Sequence, residues 1–547
     1  MRKNKLLLLA SSIGVFVVLA AAAIDENFLK QWRRIQGSAR NQDGAIPVQL
    51  RQVVNPALRT ADRCITCHVT MGPGEEEVTG GPLFKKHPAV VHDPTQYGCT
   101  VCHGGQGSAT EKADAHGDVE FWPEPMIPVR MAEAGCGTCH VSPAAPSRRE
   151  LRKAQAVFER LDCRACHRVD GRGGTIRPDG GGMEGPDLTR VGVAGYDADW
   201  HAKHLAKAAK AVAGPWKTSF AAVTPDDAAA VARYLATRNG APKLIEAKAA
   251  FLSYGCLGCH RVSGVGGDEG PDLTRAGQKD PGQADFTRVP EEHGLSNWIA
   301  EHFRSPVAVV TGSKMPAVAA PEADIQQLTM FVLSLRRRDL PGVYLPKDRL
   351  EVTRLGKREF ATDGATIFGA FCAGCHGVEG LGRKAGEETF PAIANPEFQA
   401  LVTDRFLTET IAKGRPSRRM PGWNKEGGLR PDEIAAVVGH LRTLAGVASK
   451  TEEDRWMAAA EPDTGDRLYA ASCAGCHGDK GQGNKGPALA NRAFLELATD
   501  GYLRDTITKG RPGTAMPAFD TPSPVHRTLA PSDVESIVAY IRSWQGR

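Results

Sequence analysis

The sequence predicts a mainly α-helical chain in three parts: an N-terminal transmembrane helix, an irregular stretch crowded with cysteine and histidine, and four small helical domains in tandem. Three observations predict it. An uncharged, mostly apolar run from Leu6 to Ile24 follows Arg2, Lys3 and Lys5; the pattern Cys-x-x-Cys-His recurs seven times; and the last four of these patterns each sit between two segments with apolar residues at helical spacing. A chain of 547 residues is long enough for several domains, and 41% hydrophobic with 24% charged residues is an ordinary globular balance. Aromatic residues are only 6% while Gly numbers 60 and Pro 36, so the cores must be filled by something other than large side chains. The net charge of +5 is mild and its basic residues are interspersed with acidic ones, which excludes a nucleic-acid-binding stripe.

The first element is residues 1–24. Its nineteen-residue apolar run is close to the roughly 20 residues that span a bilayer as a helix. Ala20 to Ala23 would also suit a signal peptidase, but the apolar core of a signal peptide usually runs about 7–15 residues, so length favours a retained anchor. Either reading exports the remainder of the chain.

The cysteines come next. All fourteen belong to Cys-x-x-Cys-His units: Cys64/Cys67/His68, Cys99/Cys102/His103, Cys136/Cys139/His140, Cys163/Cys166/His167, Cys256/Cys259/His260, Cys372/Cys375/His376 and Cys473/Cys476/His477. Disulfides would explain an even count but not a histidine after every pair, and zinc ribbons need such units in twos, which seven cannot give. Covalent attachment of c-type haem explains all of it: two thiols form thioethers to one porphyrin edge and the following histidine ligates the iron. Seven covalently attached haems are therefore expected.

Spacing separates two architectures. The first cysteines of units one to three are 35 and 37 residues apart, whereas those of units four to seven are 93, 116 and 101 apart. Below about 40 residues a chain rarely builds its own core. Residues 25–145 are thus expected to form a haem-packed irregular trihaem region with its porphyrins acting as the core. Between residues 59 and 150 the histidines outside the motifs are His87, His92 and His116, three spare imidazoles for three irons. Met126 and Met131 are alternatives; Met71 is too close to His68 to reach round the ring.

Four domains follow, at 146–242, 243–345, 346–449 and 450–547. Each has a helical segment running into its motif, with Phe158, Phe251, Phe368 and Tyr469 in corresponding places, and a closing segment that opens on proline and acid. Tyr234, Phe331 and Tyr540 correspond along the closing segments. His440 holds the same place in the sixth unit and reads as a helix-packing residue, not a ligand.

On these residues the last four hundred positions resemble the class I cytochrome c family four times over. The resemblance implies two terminal helices packed over a haem whose iron takes His on one side and Met on the other. Met315 in "SKMPA", Met420 in "RRMPG" and Met516 in "TAMPA" stand where that family has its axial methionine, and Pro186, Pro271, Pro391 and Pro487 where it has the proline whose carbonyl orients the histidine. The fourth unit departs from the pattern: aligning Trp200 with Trp298 and His204 with His302 puts Lys217 where Met315 stands. Met183 lies on the other side of the ring, which leaves Lys217, His201, His204 or an open position. The segment Phe84–Gly107 followed by "AHG" further resembles membrane-anchored multihaem cytochromes associated with quinol-oxidising, cytochrome b-containing complexes.

Together these readings imply a single-pass inner-membrane protein whose haem domains lie in the periplasm. It would carry electrons from a cytochrome b-type or other quinol-oxidising membrane subunit to a soluble electron acceptor, a cytochrome or a terminal reductase. Two readings from other classes compete, an enzyme reducing peroxide or nitrite at the fourth haem and a gas-binding sensor using the same vacancy. The basic segment Arg336 to Phe360 reads as a solvated interdomain linker, with docking of an acidic partner as its alternative.

Overall fold

The computed structural model describes residues 2–75, 77–88, 90–119, 122–141, 145–174, 185–211, 223–290, 293–385, 388–415, 419–451, 462–512 and 514–545. Helices dominate, and the strands form five antiparallel pairs of two or three residues per strand. The first helix, Arg2–Ile24, leaves its apolar side chains in the open, with Leu7 70% and Phe16 71% exposed. Among the described residues it is the one helix long and apolar enough to cross a membrane.

The trihaem region has little apolar interior of its own. Ala39, Ile46, Val69 and Val78 form a small separate cluster with Phe84 against it. Short helical turns carry the motifs, and the antiparallel pair Val53–Asn55 with Thr60–Asp62 ties the first motif to the second. Buried Asp62 accepts from both the Thr100 N–H (2.8 Å) and the Thr100 hydroxyl (2.8 Å). Gly107 backs onto this carboxylate so closely that an added Cβ would lie 1.9 Å from Oδ1.

Units four to seven share one helix pairing. The opening helices are Arg148–Arg160, Pro242–Ser253, Gly364–Ile367 continued by a wider turn to Cys372, and Pro462–Ser472; the closing helices are Pro225–Ala236, Glu322–Ser334, Pro431–Ala445 and Pro531–Arg542. Their corresponding rings meet: Phe158 with Tyr234 at 4.7 Å between centroids, Phe251 with Phe331 at 4.6 Å, Phe368 with His440 at 5.5 Å and Tyr469 with Tyr540 at 5.6 Å. His440 therefore packs between helices. The acid near the start of three closing helices acts locally. Asp227, Glu433 and Asp533 accept the backbone N–H of Thr224, Arg430 and Ala530, satisfying a donor that the helix leaves unpaired.

Spatial order differs from chain order. The Cys64 and Cys99 thiols lie side by side, and Gly135 of the third motif sits on the Cys102 carbonyl, where a Cβ would come within 1.8 Å. Gly137 then packs on the Ser334 carbonyl of the fifth unit's closing helix, and Gly255 before the fifth motif packs on Gly374 of the sixth. The fourth unit joins this body through the start of its opening helix. Ser147 N–H donates to Thr366 Oγ1 (3.0 Å), Arg148 N–H to Ser253 Oγ (2.8 Å), and the Arg148 guanidinium pairs with Asp324 (2.5 Å).

The segment Arg336 to Phe360 is not a solvated linker. Arg338 N–H donates to the Thr138 carbonyl (3.3 Å) and its guanidinium pairs with Glu124 (3.1 Å). Asn55 Nδ2 donates to the Tyr344 hydroxyl (2.9 Å), and Ala361 N–H to the Ala145 carbonyl (3.0 Å). Its charges find acceptors and carboxylates on the trihaem region of the same chain, which is why a run of charge here is bound and not free.

Candidate haem sites

Each motif is one turn of helix. In six of them the histidine N–H donates to the carbonyl of the first cysteine, at 2.9 Å for His68, His103, His140, His260 and His477 and 3.0 Å for His167. Residues i, i+3 and i+4 share a helix face, so one turn presents two sulfurs and an imidazole together. All fourteen cysteines are free thiols. The two thiols of a motif are unequally placed, although the sequence gave no sign of it. Cys163 and Cys473, the first of their motifs, are buried, whereas Cys102 and Cys476, the second of theirs, are exposed. Cys67, Cys139, Cys166, Cys259 and Cys375 stand between these limits. The first cysteine follows directly on the packed opening segment, and the turn carries the second outward, so Cys375 and Cys476 meet a porphyrin edge from the solvent side.

Burial raises the thiols of Cys136, Cys163, Cys256, Cys372 and Cys473 to about 12. Zinc would require thiolates there, whereas a thioether is uncharged and suits a buried position. The donor set therefore fits c-type haem.

The histidines of units four to seven are held alike. His167 Nδ1–H donates to the Pro186 carbonyl (2.8 Å), His260 to Pro271, His376 to Pro391 and His477 to Pro487 (2.9 Å each). This fixes the ring and leaves Nε2 for the metal. The residue before the proline also matters, and sequence reading passed over it. A Cβ on Gly185, Gly270 or Gly486 would lie 2.6, 2.5 and 2.8 Å from the imidazole, so glycine lets the backbone reach the ring. The sixth unit uses Phe390 there, with Arg419 over its ring at 5.6 Å. In the trihaem region His140 Nδ1 instead donates to Asp348 (3.1 Å), and His103 Nδ1 is buried without a hydrogen-bond partner among the described residues.

The three spare histidines all lie beside motif histidines. His87 faces His103 with ring centroids 6.1 Å apart, His92 faces His140 at 5.8 Å, and His116 is the titratable neighbour that acts on His68. Burial holds His68, His92 and His103 below the ordinary histidine pKa, favouring the neutral imidazole that binds metals. Met131 is buried in the main hydrophobic core, and the Met126 N–H donates to the His116 carbonyl (2.9 Å).

Met315, Met420 and Met516 sit half-buried against the main core. Units six and seven close the methionine loop identically, with Arg415 N–H donating to the Met420 carbonyl (2.8 Å) and Arg511 N–H to Met516 (3.0 Å). Those arginines also join the two units. Arg511 lies 4.3 Å over the Phe398 ring, Arg415 lies 5.4 Å over both Phe406 and Phe494, and Phe406 meets Tyr502 at 5.4 Å. Phe398 and Phe406 occupy the same places in unit six as Phe494 and Tyr502 in unit seven, so the contact is a near two-fold pairing of like surfaces.

In the fourth unit His204 stacks on Trp200 (5.0 Å) and faces His167 (6.1 Å), while buried His201 turns its edge to Trp200 (5.1 Å) and Tyr196 (6.2 Å). Lys217 and Met183 lie outside the described residues.

Fold and sites together define a c-type cytochrome. Residues 151–239 and 245–336 match the cytochrome c family, and residues 359–441 and 460–541 match the family described as cytochrome c oxidase, cbb3-type, subunit III. The chain is a multihaem c-type cytochrome with an electron-transfer function and an N-terminal membrane anchor. It is 31% identical over 193 residues to the cbb3-type cytochrome c oxidase subunit FixP of Bradyrhizobium diazoefficiens, covering 34% of this chain and 60% of that protein. It is 25% identical over 234 residues to subunit CcoP of an Azospirillum species, covering 40% and 70%. The alignment with the thiosulfate dehydrogenase TsdBA of Marichromatium purpuratum has 17% identity and a TM-score of 0.17, over 72% of this chain and 91% of that one.

Proposed function

We propose that the chain is a heptahaem cytochrome, single-pass in the inner membrane with its haem domains in the periplasm. It carries electrons from a membrane quinol-oxidising complex to a soluble cytochrome or terminal reductase. The observation that carries the proposal is the set of paired imidazoles: His87 with His103, His92 with His140, and His116 beside His68. Haem supplies a one-electron ferrous–ferric couple when bound. The cysteines tether it, and an imidazole anchored at Nδ1 offers one metal-binding nitrogen. A second imidazole in the trihaem region, or Met315, Met420 and Met516 in the last three units, fills the remaining axial place. Sites closed on both sides exclude substrate and suit electron transfer. Membership of FixP and CcoP in cbb3-type oxidases, by their names, supports a place among respiratory membrane proteins.

The full chain in detergent tests this. Pyridine haemochrome should give seven haems per polypeptide. A spectroelectrochemical titration should separate a low-potential histidine-ligated group from a high-potential methionine-ligated group, since thioether ligation raises the potential. Met420→His or Met516→His should each move one high-potential step into the low group. Six or fewer haems, or a titration unmoved by either substitution, would count against the assignment.

A further inference from the structure

The fourth unit is where sequence left the second axial position undecided, and its helix Ala198–Ala211 carries the residue to fill it. Trp200 and His204 are four positions apart, so they share one face of that helix, and their rings stack at 5.0 Å with an interplanar angle of 6°. The stack fixes the imidazole before any ligand arrives, which reduces the rotamer entropy lost on binding. Across from it, His167 has its Nδ1 committed to the Pro186 carbonyl at 2.8 Å, so its uncommitted nitrogen is Nε2.

The spacing of these two rings is informative. An imidazole nitrogen binds a first-row divalent metal at about 2 Å and its ring centre lies roughly 1 Å further out, so two imidazoles on opposite sides of one ion have centroids about 6 Å apart. His204 and His167 stand at 6.1 Å, matching His87 and His103 at 6.1 Å and His92 and His140 at 5.8 Å. His201 is on the same helix, but its ring edge is engaged with Trp200 and Tyr196. The fifth unit repeats the Trp-x-x-x-His stack, Trp298 on His302 at 5.2 Å, yet keeps Met315. The fourth has lysine at that place.

We propose that His204 is the second axial ligand of the haem held by Cys163, Cys166 and His167, so that the fourth unit is a closed bis-histidine site. This rests on the haem reading of that motif. It gives four bis-histidine haems, three before and one within the tandem cytochrome c domains, and it leaves no vacancy for peroxide, nitrite or a gas.

The test uses the full chain in detergent. Mass spectrometry of the peptide containing Cys163 and Cys166 first establishes whether haem is attached there; an unmodified peptide overturns the haem reading of the motif and the ligand assignment with it. With haem attached, the ferrous wild type should bind no carbon monoxide at this site. His204→Ala should create one high-spin ferric haem per chain by electron paramagnetic resonance and take up one equivalent of carbon monoxide. His204→Met keeps a ligand should the alanine variant fold poorly, and should stay low-spin while one low-potential step moves upward. Lys217→Ala should change neither spectrum nor titration. The ligand assignment is overturned, with the haem reading intact, if His204→Ala and His204→Met both keep the wild-type spectrum and midpoints, or if Lys217→Ala produces the high-spin haem.

Discussion

Asp348 shows what a single side chain contributes far from any motif. Its carboxylate accepts from His140 Nδ1 at 3.1 Å, doing for the third motif what a proline carbonyl does for units four to seven. A carboxylate raises the basicity of the imidazole it holds more than a carbonyl does, and a more basic ligand favours ferric iron. Asp348→Asn keeps the hydrogen bond but removes the charge. We expect one low-potential step to rise and the methionine-ligated steps to stay in place, read by spectroelectrochemical titration. The proline carbonyls were legible because they lie ten to nineteen residues from their histidines, within one repeated motif. Asp348 was not, being 208 residues from its partner inside a run of charge. Nor could sequence pair the spare histidines. His116 is nearer in sequence to His103, yet it is His68 whose pKa it lowers, and His87 faces His103.

At the scale of elements, the four helix pairs were readable because each is written in a local period. Their aromatic partners fall at corresponding places, and proline with acid marks each closing helix start. Sequence could not show how closely the helices approach. Gly465 on the opening helix of unit seven sits against the Ser536 carbonyl of the closing helix, where a Cβ would lie 2.0 Å away; Gly364 and Ala436 repeat this in unit six. Since backbone and not a flexible side chain is the neighbour, Gly465→Ala must push the helices apart. The cost expected is about 1–3 kcal/mol. Hydrogen exchange localised to Pro531–Arg542 should report it as lost protection, with Pro225–Ala236 unchanged as an internal control.

For the whole molecule, the packing of seven motifs in an order other than 1 to 7 is the main finding that spacing could not supply. Side-chain periodicity encodes an element's own face and says little about which distant face it meets. The sixth and seventh units pair through Arg415, Arg511 and four aromatic rings. Each cation over an aromatic face is worth about 0.5–2 kcal/mol. Arg511 also donates to the Ala392 carbonyl (3.1 Å), a hydrogen bond worth about 1 kcal/mol. Replacing both arginines by alanine should therefore free the seventh unit from the sixth, seen as faster limited proteolysis between residues 446 and 462, with both haems retained. Unchanged cleavage would mean that the aromatic rings alone hold the pair.

The strap from Arg336 to Phe360 also carries a consequence for biogenesis. Chains are made at about 5–20 residues per second, so Asp348 follows His140 out of the ribosome by roughly 10 to 40 s. During that interval the first three motifs emerge without the residues that later cover them, and their thiols stay accessible to whatever machinery attaches haem. Docking of the strap then closes the region. The chain thus contains its own timer: the N-terminal cofactors must be loaded before the fifth domain is complete, and a protein arrested upstream of residue 336 would leave that region open.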